Sequence, residues 1–309
     1  MAQGVVYRST GSWYIIKDTK NKLWNARMKG VFKIEGITST NPIAVGDVVD
    51  FETENEEESG ATITKIHDRK NYINRQSPRV KYQHHIVAAN VDQSIMVATI
   101  KEPRTSQGFI DRFLVACEMF HVPAIIIFNK HDVYRQKELA ILKSFKSIYE
   151  NIGYTVLTMS IKERMGMENV TALLQKKISL VSGHSGVGKS SFINEIIKEK
   201  NIRTKQISGW SGKGQHSTTF AEMHDLPFGG TIIDTPGMKE FGLVDIEKAE
   251  LSGYFPEMKK RLNDCQFNNC LHMNEPGCAI KRAVIEGEIH EDRYVSYCSI
   301  LDSIGEVGY

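Results

Sequence analysis

The sequence predicts an α/β protein in three parts: a small β-barrel, a doubly wound parallel sheet, and a short, mainly helical C-terminal segment held by a metal. Three observations carry this. Short alternating strands with no helical period run to about residue 70, buried apolar runs alternate with helical stretches from Val91 onward, and three cysteines crowd around one histidine after residue 245. A chain of 309 residues exceeds one ordinary core, and 41% hydrophobic with 25% charged residues is the balance of a globular protein. The net charge of +2 neither demands nor excludes a nucleic-acid partner.

In the first part, residues 4–17, 23–32, 45–53 and 61–66 read as strands, parted by turn-rich pieces such as Asp18-Thr19-Lys20-Asn21. An OB-type barrel is the expected form, a fold whose strands bind oligonucleotides. Trp13, Tyr14, Trp24, Arg27, Lys29 and Phe32 are its candidate stacking and phosphate contacts; the alternative is that half of these aromatics are core. The acidic run Glu52, Glu54, Glu56, Glu57 and Glu58 reads as a solvated loop rather than an interaction site.

In the second part, strands at 93–100, 124–128, 155–159, 178–182 and 231–233 alternate with helices near 109–120, 136–152, 168–177 and 191–198. Two strand ends carry motifs. Gly183-His184-Ser185-Gly186-Val187-Gly188-Lys189-Ser190, followed by Ser191 at a helix start, is a complete phosphate loop. Its glycines let backbone N–H groups converge on phosphates, Lys189 reaches the terminal phosphates, and the Ser190 hydroxyl is placed for Mg²⁺. Asn129-Lys130-His131-Asp132 fits the N-K-x-D element that reads guanine: the Asp132 carboxylate accepts from two donors that adenine does not offer together, and the Lys130 stem covers a ring face. Ser160 follows at the next strand end, where backbone amides meet the guanine carbonyl.

Asp234-Thr235-Pro236-Gly237 closes the set, with Asp234 on a metal-bound water and Gly237 donating to a γ-phosphate. The glycine- and hydroxyl-rich stretch 209–219 lies before it; either Thr218 or Thr219 is its metal-sensing hydroxyl. Met238 stands where a water-orienting glutamine is common, so His216 becomes a candidate catalytic group beside Lys189 and Gly237, against the alternative of a solvated loop histidine. The guanine element precedes the phosphate loop, the reverse of the ordinary order, which predicts a circularly permuted P-loop GTPase domain.

In the third part, Cys265-x4-Cys270-x-His272-x5-Cys278 is the ligand set of a closed, tetrahedral structural Zn²⁺ site, the alternative being free thiols and an unrelated histidine; Cys117 and Cys298 read as core residues.

The inverted motif order, the segment Gly214-Gln215-His216-Ser217-Thr218-Thr219, the barrel and the cysteine cluster together resemble the RsgA (YjeQ) family of small-ribosomal-subunit maturation GTPases. The resemblance spans essentially the whole chain. Ser217 in place of a threonine and Ile161 in place of a small residue depart from the family pattern, and neither removes a group used above. The resemblance implies GTP hydrolysis stimulated by the small ribosomal subunit, GTP and GDP as ligands, and contact with rRNA, to which Arg69, Lys70, Arg75, Arg79 and Lys81 near the barrel add basic character. The expected division is 1–72 for the barrel, 73–245 for the GTPase domain and 246–309 for the zinc-binding domain. Without a signal peptide, a membrane-length apolar run or a coiled-coil pattern, the expectation is a cytoplasmic, membrane-free monomer. Two rivals stand beside it: a nucleotide-gated RNA-binding module with vestigial hydrolysis, and a P-loop kinase or ATPase, which Asp132 opposes.

Overall fold

The computed structural model describes residues 1–28, 42–55, 59–76, 84–198, 221–235, 243 and 246–304. Five strands close the N-terminal barrel: β1 (Ala2–Ser9), β2 (Tyr14–Asp18), β3 (Leu23–Met28), β4 (Val48–Asn55) and β5 (Gly60–Ile66), joined in the order β1-β2-β3-β5-β4 and sealed by β1 against β4. The β3–β5 pair is parallel and the others antiparallel, the arrangement of an OB barrel. Period-two alternation turns Val6, Tyr14, Ile16, Trp24, Phe51 and Ile63 into its core. Tyr14 and Trp24 are therefore packed inside and are not stacking surfaces, whereas Trp13 is 46% exposed with the Arg27 guanidinium 3.9 Å over its ring. Lys29 and Phe32 lie outside the described residues, as do Glu56, Glu57 and Glu58.

The single strand expected over 4–17 is two. At Gly11 the backbone takes φ +89, and the Thr10 N–H bonds to the Trp13 carbonyl, so the chain turns back as a hairpin. A second hairpin, β6 (Tyr72–Gln76) with β7 (His84–Ala89), forms between barrel and α/β layer, where the sequence reading placed no element.

Five parallel strands form the second layer: β8 (Gln93–Ala98), β9 (Ala124–Phe128), β10 (Thr155–Thr158), β11 (Ile178–Ser182) and β13 (Thr231–Asp234); β12 (Glu222–Asp225), which the sequence did not disclose, pairs antiparallel with β13. Their order is β10-β9-β8-β11-β13-β12, and β12 also pairs with β1 at Arg8↔Glu222, so barrel and α/β layer share one sheet. Tyr7 and Lys17 of the barrel both bond to Asp225 at that seam, at 2.8 and 2.7 Å. Helices α1 (Gln107–Met119) and α2 (Gln136–Ile152) cover one face, and α3 (Met167–Leu174) and α4 (Lys189–Lys198) the other. Ser106 caps α1 by accepting the Phe109 N–H, and Gly153 ends α2 at φ +111.

The C-terminal region holds α5 (Pro256–Lys259), α6 (Ala279–Ile285) and α7 (Glu291–Ser303) around a core that also takes in Val115 of α1. Arg293 of α7 is wholly buried there: it donates to Asp111 of α1 at 2.6 Å and to Glu257 of α5 at 2.7 Å, with its guanidinium 4.6 Å from the Phe255 ring centroid. Burial opposes its charge, but the two carboxylates outweigh burial and raise its pKa. Arg293→Ala would leave Asp111 buried without a cation, so a loss of about 3–5 kcal/mol in urea unfolding is expected; a change under about 1 kcal/mol would show that the cluster contributes little. Cys117 is buried as expected and Cys298 partly so. No helix among the described residues is long and apolar enough to cross a membrane.

Candidate functional site

The two motif loops meet at the carboxyl ends of the parallel strands β9 and β11, which flank β8, in the crevice where open α/β sheets take their ligands. Asn129 follows β9 and is 2% exposed; its Nδ2 donates to the Val187 carbonyl of the phosphate loop at 2.8 Å, tying the two loops together. Gly188, at φ +100, makes this approach possible, because a Cβ there would sit 2.4 Å from that Nδ2. Gly183 is as constrained on the other side: at φ +142, its Cβ would lie 2.2 Å from the Val97 carbonyl of β8.

Lys130 takes the left-handed conformation, φ +63, and its Nζ donates to the Glu102 carbonyl. His131 N–H bonds to Met159 O at 3.2 Å, which sets the 129–132 turn against the end of β10. The buried Ser160 hydroxyl donates to Asp132 Oδ1 at 2.7 Å, fixing one carboxylate oxygen. Tyr134, which sequence reading passed over, takes the Ile100 N–H on its hydroxyl at 2.9 Å and donates to the Asn129 carbonyl. Its position two residues beyond the guanine motif was the available signal.

In the phosphate loop, Lys189 is buried and donates to the Gly183 and His184 carbonyls, the latter at 2.8 Å. Burial lowers its pKa, with Asp234 acting in the opposite sense; burial raises that of Asp234, with Lys189 opposing. The His184 ring stacks on Phe109 of α1 at 3.6 Å, so it packs against that helix. Ser185, Gly186, Ser190 and Ser191 are exposed around the loop and the first turn of α4, an amide-rich N-terminus suited to an anion. Thr235 donates to the Val181 carbonyl at 2.8 Å, holding the end of β13 beside β11. His216, Thr218, Thr219 and Gly237 lie outside the described residues.

Cys265, Cys270, His272 and Cys278 converge with all ligand atoms within 4.8 Å of one another. His272 Nδ1 lies 3.6 Å from Cys265 Sγ and 3.4 Å from Cys278 Sγ. A tetrahedral zinc with ordinary bond lengths holds its sulfur and nitrogen ligands about 3.5–3.8 Å apart, so these residues fit the ion, with Nδ1 as the ring ligand. Burial pushes the Cys270 thiol up to about 12; a bound zinc would hold it as the thiolate.

Compared with known proteins, the chain matches the RsgA GTPase family model over residues 66–244 and the RsgA N-terminal domain model over residues 3–61. It is 49% identical to the small ribosomal subunit biogenesis GTPase RsgA of Flavobacterium psychrophilum, over 98% of this chain and 93% of that protein. The protein of that name from Bacteroides fragilis is 45% identical over 99% and 98% of the two chains. Among solved structures, YjeQ from Thermotoga maritima superposes with a TM-score of 0.77 at 32% identity, covering 97% of each chain, and YloQ, a circularly permuted GTPase, with 0.74 at 29% identity over 98% and 95%.

Proposed function

This chain belongs to the RsgA GTPase family, and from that premise we propose that it is a GTP hydrolase of small-ribosomal-subunit biogenesis whose turnover the subunit stimulates through contact with rRNA. The observation that carries the reading is the Asn129–Val187 bond, which holds a guanine-reading loop directly against a phosphate loop.

In this reading Asp132, steadied by Ser160, accepts from guanine, while Asn129, Lys130 and His131 shape the base pocket. The 183–191 amides and Lys189 hold the phosphates, Lys189 leaving the carbonyls it now binds. Mg²⁺, when bound, neutralises charge on the β- and γ-phosphates; Ser190, Asp234 and one of Thr218 and Thr219 would hold it, Gly237 would donate to the γ-phosphate, and His216 would orient water when a partner orders its loop. Because permutation leads the 234–237 loop straight into the C-terminal region, a γ-phosphate-driven movement there changes the grip on the partner.

The division 1–72, 73–245 and 246–309, a monomeric state and a cytoplasmic location belong to the same proposal. The rRNA-facing surface is placed on the barrel, where Arg8, Thr10, Trp13, Asn25, Arg27 and Glu54 line a cleft of about 680 Å³. This is the strand face OB barrels use, with an aromatic ring and cations suited to stacked bases and phosphates. The rival of vestigial hydrolysis is disfavoured by the retention of Lys189, Ser190 and Asp234.

Small subunits are expected to raise the GTPase rate by about 10³-fold, the lower end of what partner completion brings to such sites, while large subunits and free RNA raise it far less. An equal response to large subunits would overturn the assignment. A stimulated rate unchanged in His216→Ala would remove that residue from the reaction.

A further inference from the structure

The zinc-ligand loop is held from outside the ligand set, and we infer that Glu275 is a positioning residue that holds the loop in its ligating geometry. The inference rests on the zinc reading and goes beyond it by naming what organises the site. Glu275 Oε1 accepts the N–H of Leu271 at 2.8 Å, and its Oε2 accepts the N–H of Met273, also at 2.8 Å. The two amides flank His272, so one carboxylate clamps the backbone on both sides of the histidine ligand.

That clamp has strain to oppose. His272 sits at φ +59, a left-handed conformation that a residue bearing a Cβ adopts only at a steric cost. In this conformation Nδ1 points to the sulfurs of Cys265 and Cys278. Two further bonds approach from α7: the Tyr294 hydroxyl donates to the His272 carbonyl at 2.6 Å, and the Tyr297 hydroxyl to the Leu271 carbonyl at 2.8 Å. The tyrosines fix carbonyls and Glu275 fixes amides, so the histidine's backbone is held through both kinds of group. Glu275 follows His272 by three residues and precedes Cys278 by three, so the clamp lies within the ligand loop itself. Glutamine keeps the length but has only one acceptor oxygen, and would release one of the two amides.

Groups that orient metal ligands alter affinity by about 10- to 100-fold when removed. The test is competition for zinc between the full chain and a chromophoric chelator at fixed pH, with wild type, Glu275→Gln and Glu275→Asp, alongside thermal unfolding with and without saturating zinc. The expected result is zinc held about 10- to 100-fold more weakly by Glu275→Gln, a smaller loss for Glu275→Asp, and an unfolding midpoint that matches wild type in zinc-free protein but falls below it at the same saturating zinc concentration. Glu275→Gln that holds zinc as tightly as wild type would overturn the role while leaving the zinc site standing. A midpoint lowered equally with and without saturating zinc would also overturn it, by making Glu275 a general stabiliser. Wild-type protein that takes up no zinc would remove the metal reading and this one together.

Discussion

Removing zinc is expected to melt the region 246–304 ahead of the rest of the molecule. Its core is small, and the ligand cysteines Cys270 and Cys278 are themselves part of it beside Leu251, Phe255, Ile280 and Tyr297. Structural zinc contributes apparent binding free energies of about 10–16 kcal/mol near neutral pH, more than such a core supplies on its own. Cys278→Ser should act like a chelator and add local damage, since the Cys278 sulfur also accepts the Lys281 N–H at the start of α6. Hydrogen exchange resolves the outcome: protection should vanish in α6 and α7 while β9 and β11 keep theirs. Unchanged exchange in α7 after complete zinc removal would show that packing alone holds the region.

Asp132→Asn is expected to weaken GTP binding by about 10²- to 10⁴-fold and to admit xanthosine triphosphate. Hydrogen bonds to a charged group contribute about 1.5–3 kcal/mol each, and guanine offers this carboxylate two donors. An asparagine keeps an acceptor for the Ser160 hydroxyl, which now bonds Asp132 at 2.7 Å, so the side chain should hold its place while its second atom changes from acceptor to donor. That donor suits the extra carbonyl of xanthine. Calorimetry with both nucleotides measures the exchange of preference; an undiminished GTP affinity would mean that the base is read elsewhere.

The α/β layer was the most legible part of the chain because buried parallel strands are short apolar runs closed by turns. Residues 124–128 and 178–182, and the helix 136–152, fall where the sequence placed them. The site was legible for a related reason: the motifs sit at strand ends, where glycine and special side chains cannot be confused with core. The hairpin of β6 and β7 was hidden because its strands are only 5 and 6 residues long and its register slips between Ile73 and Asn74, so neither run keeps a clean alternation. Trp13 and Tyr14 are neighbours with opposite fates, one exposed and one core, and only the strand phase separates them. Arg293 could not be anticipated at all. A helical arginine reads as solvated until its two carboxylate partners, 182 and 36 residues away, are seen beside it.

Helix α1 belongs to two cores at once. Its first turn carries Phe109 under the His184 ring of the phosphate loop, while Asp111 and Val115, one and two turns on, are locked into the C-terminal region by Arg293 and its surroundings. Thirteen residues make a rod about 20 Å long. Strain applied at the metal-bearing end of the molecule is thus delivered to the nucleotide end through a stiff strut rather than a tether, and a docking event far from the crevice has a short mechanical path to it.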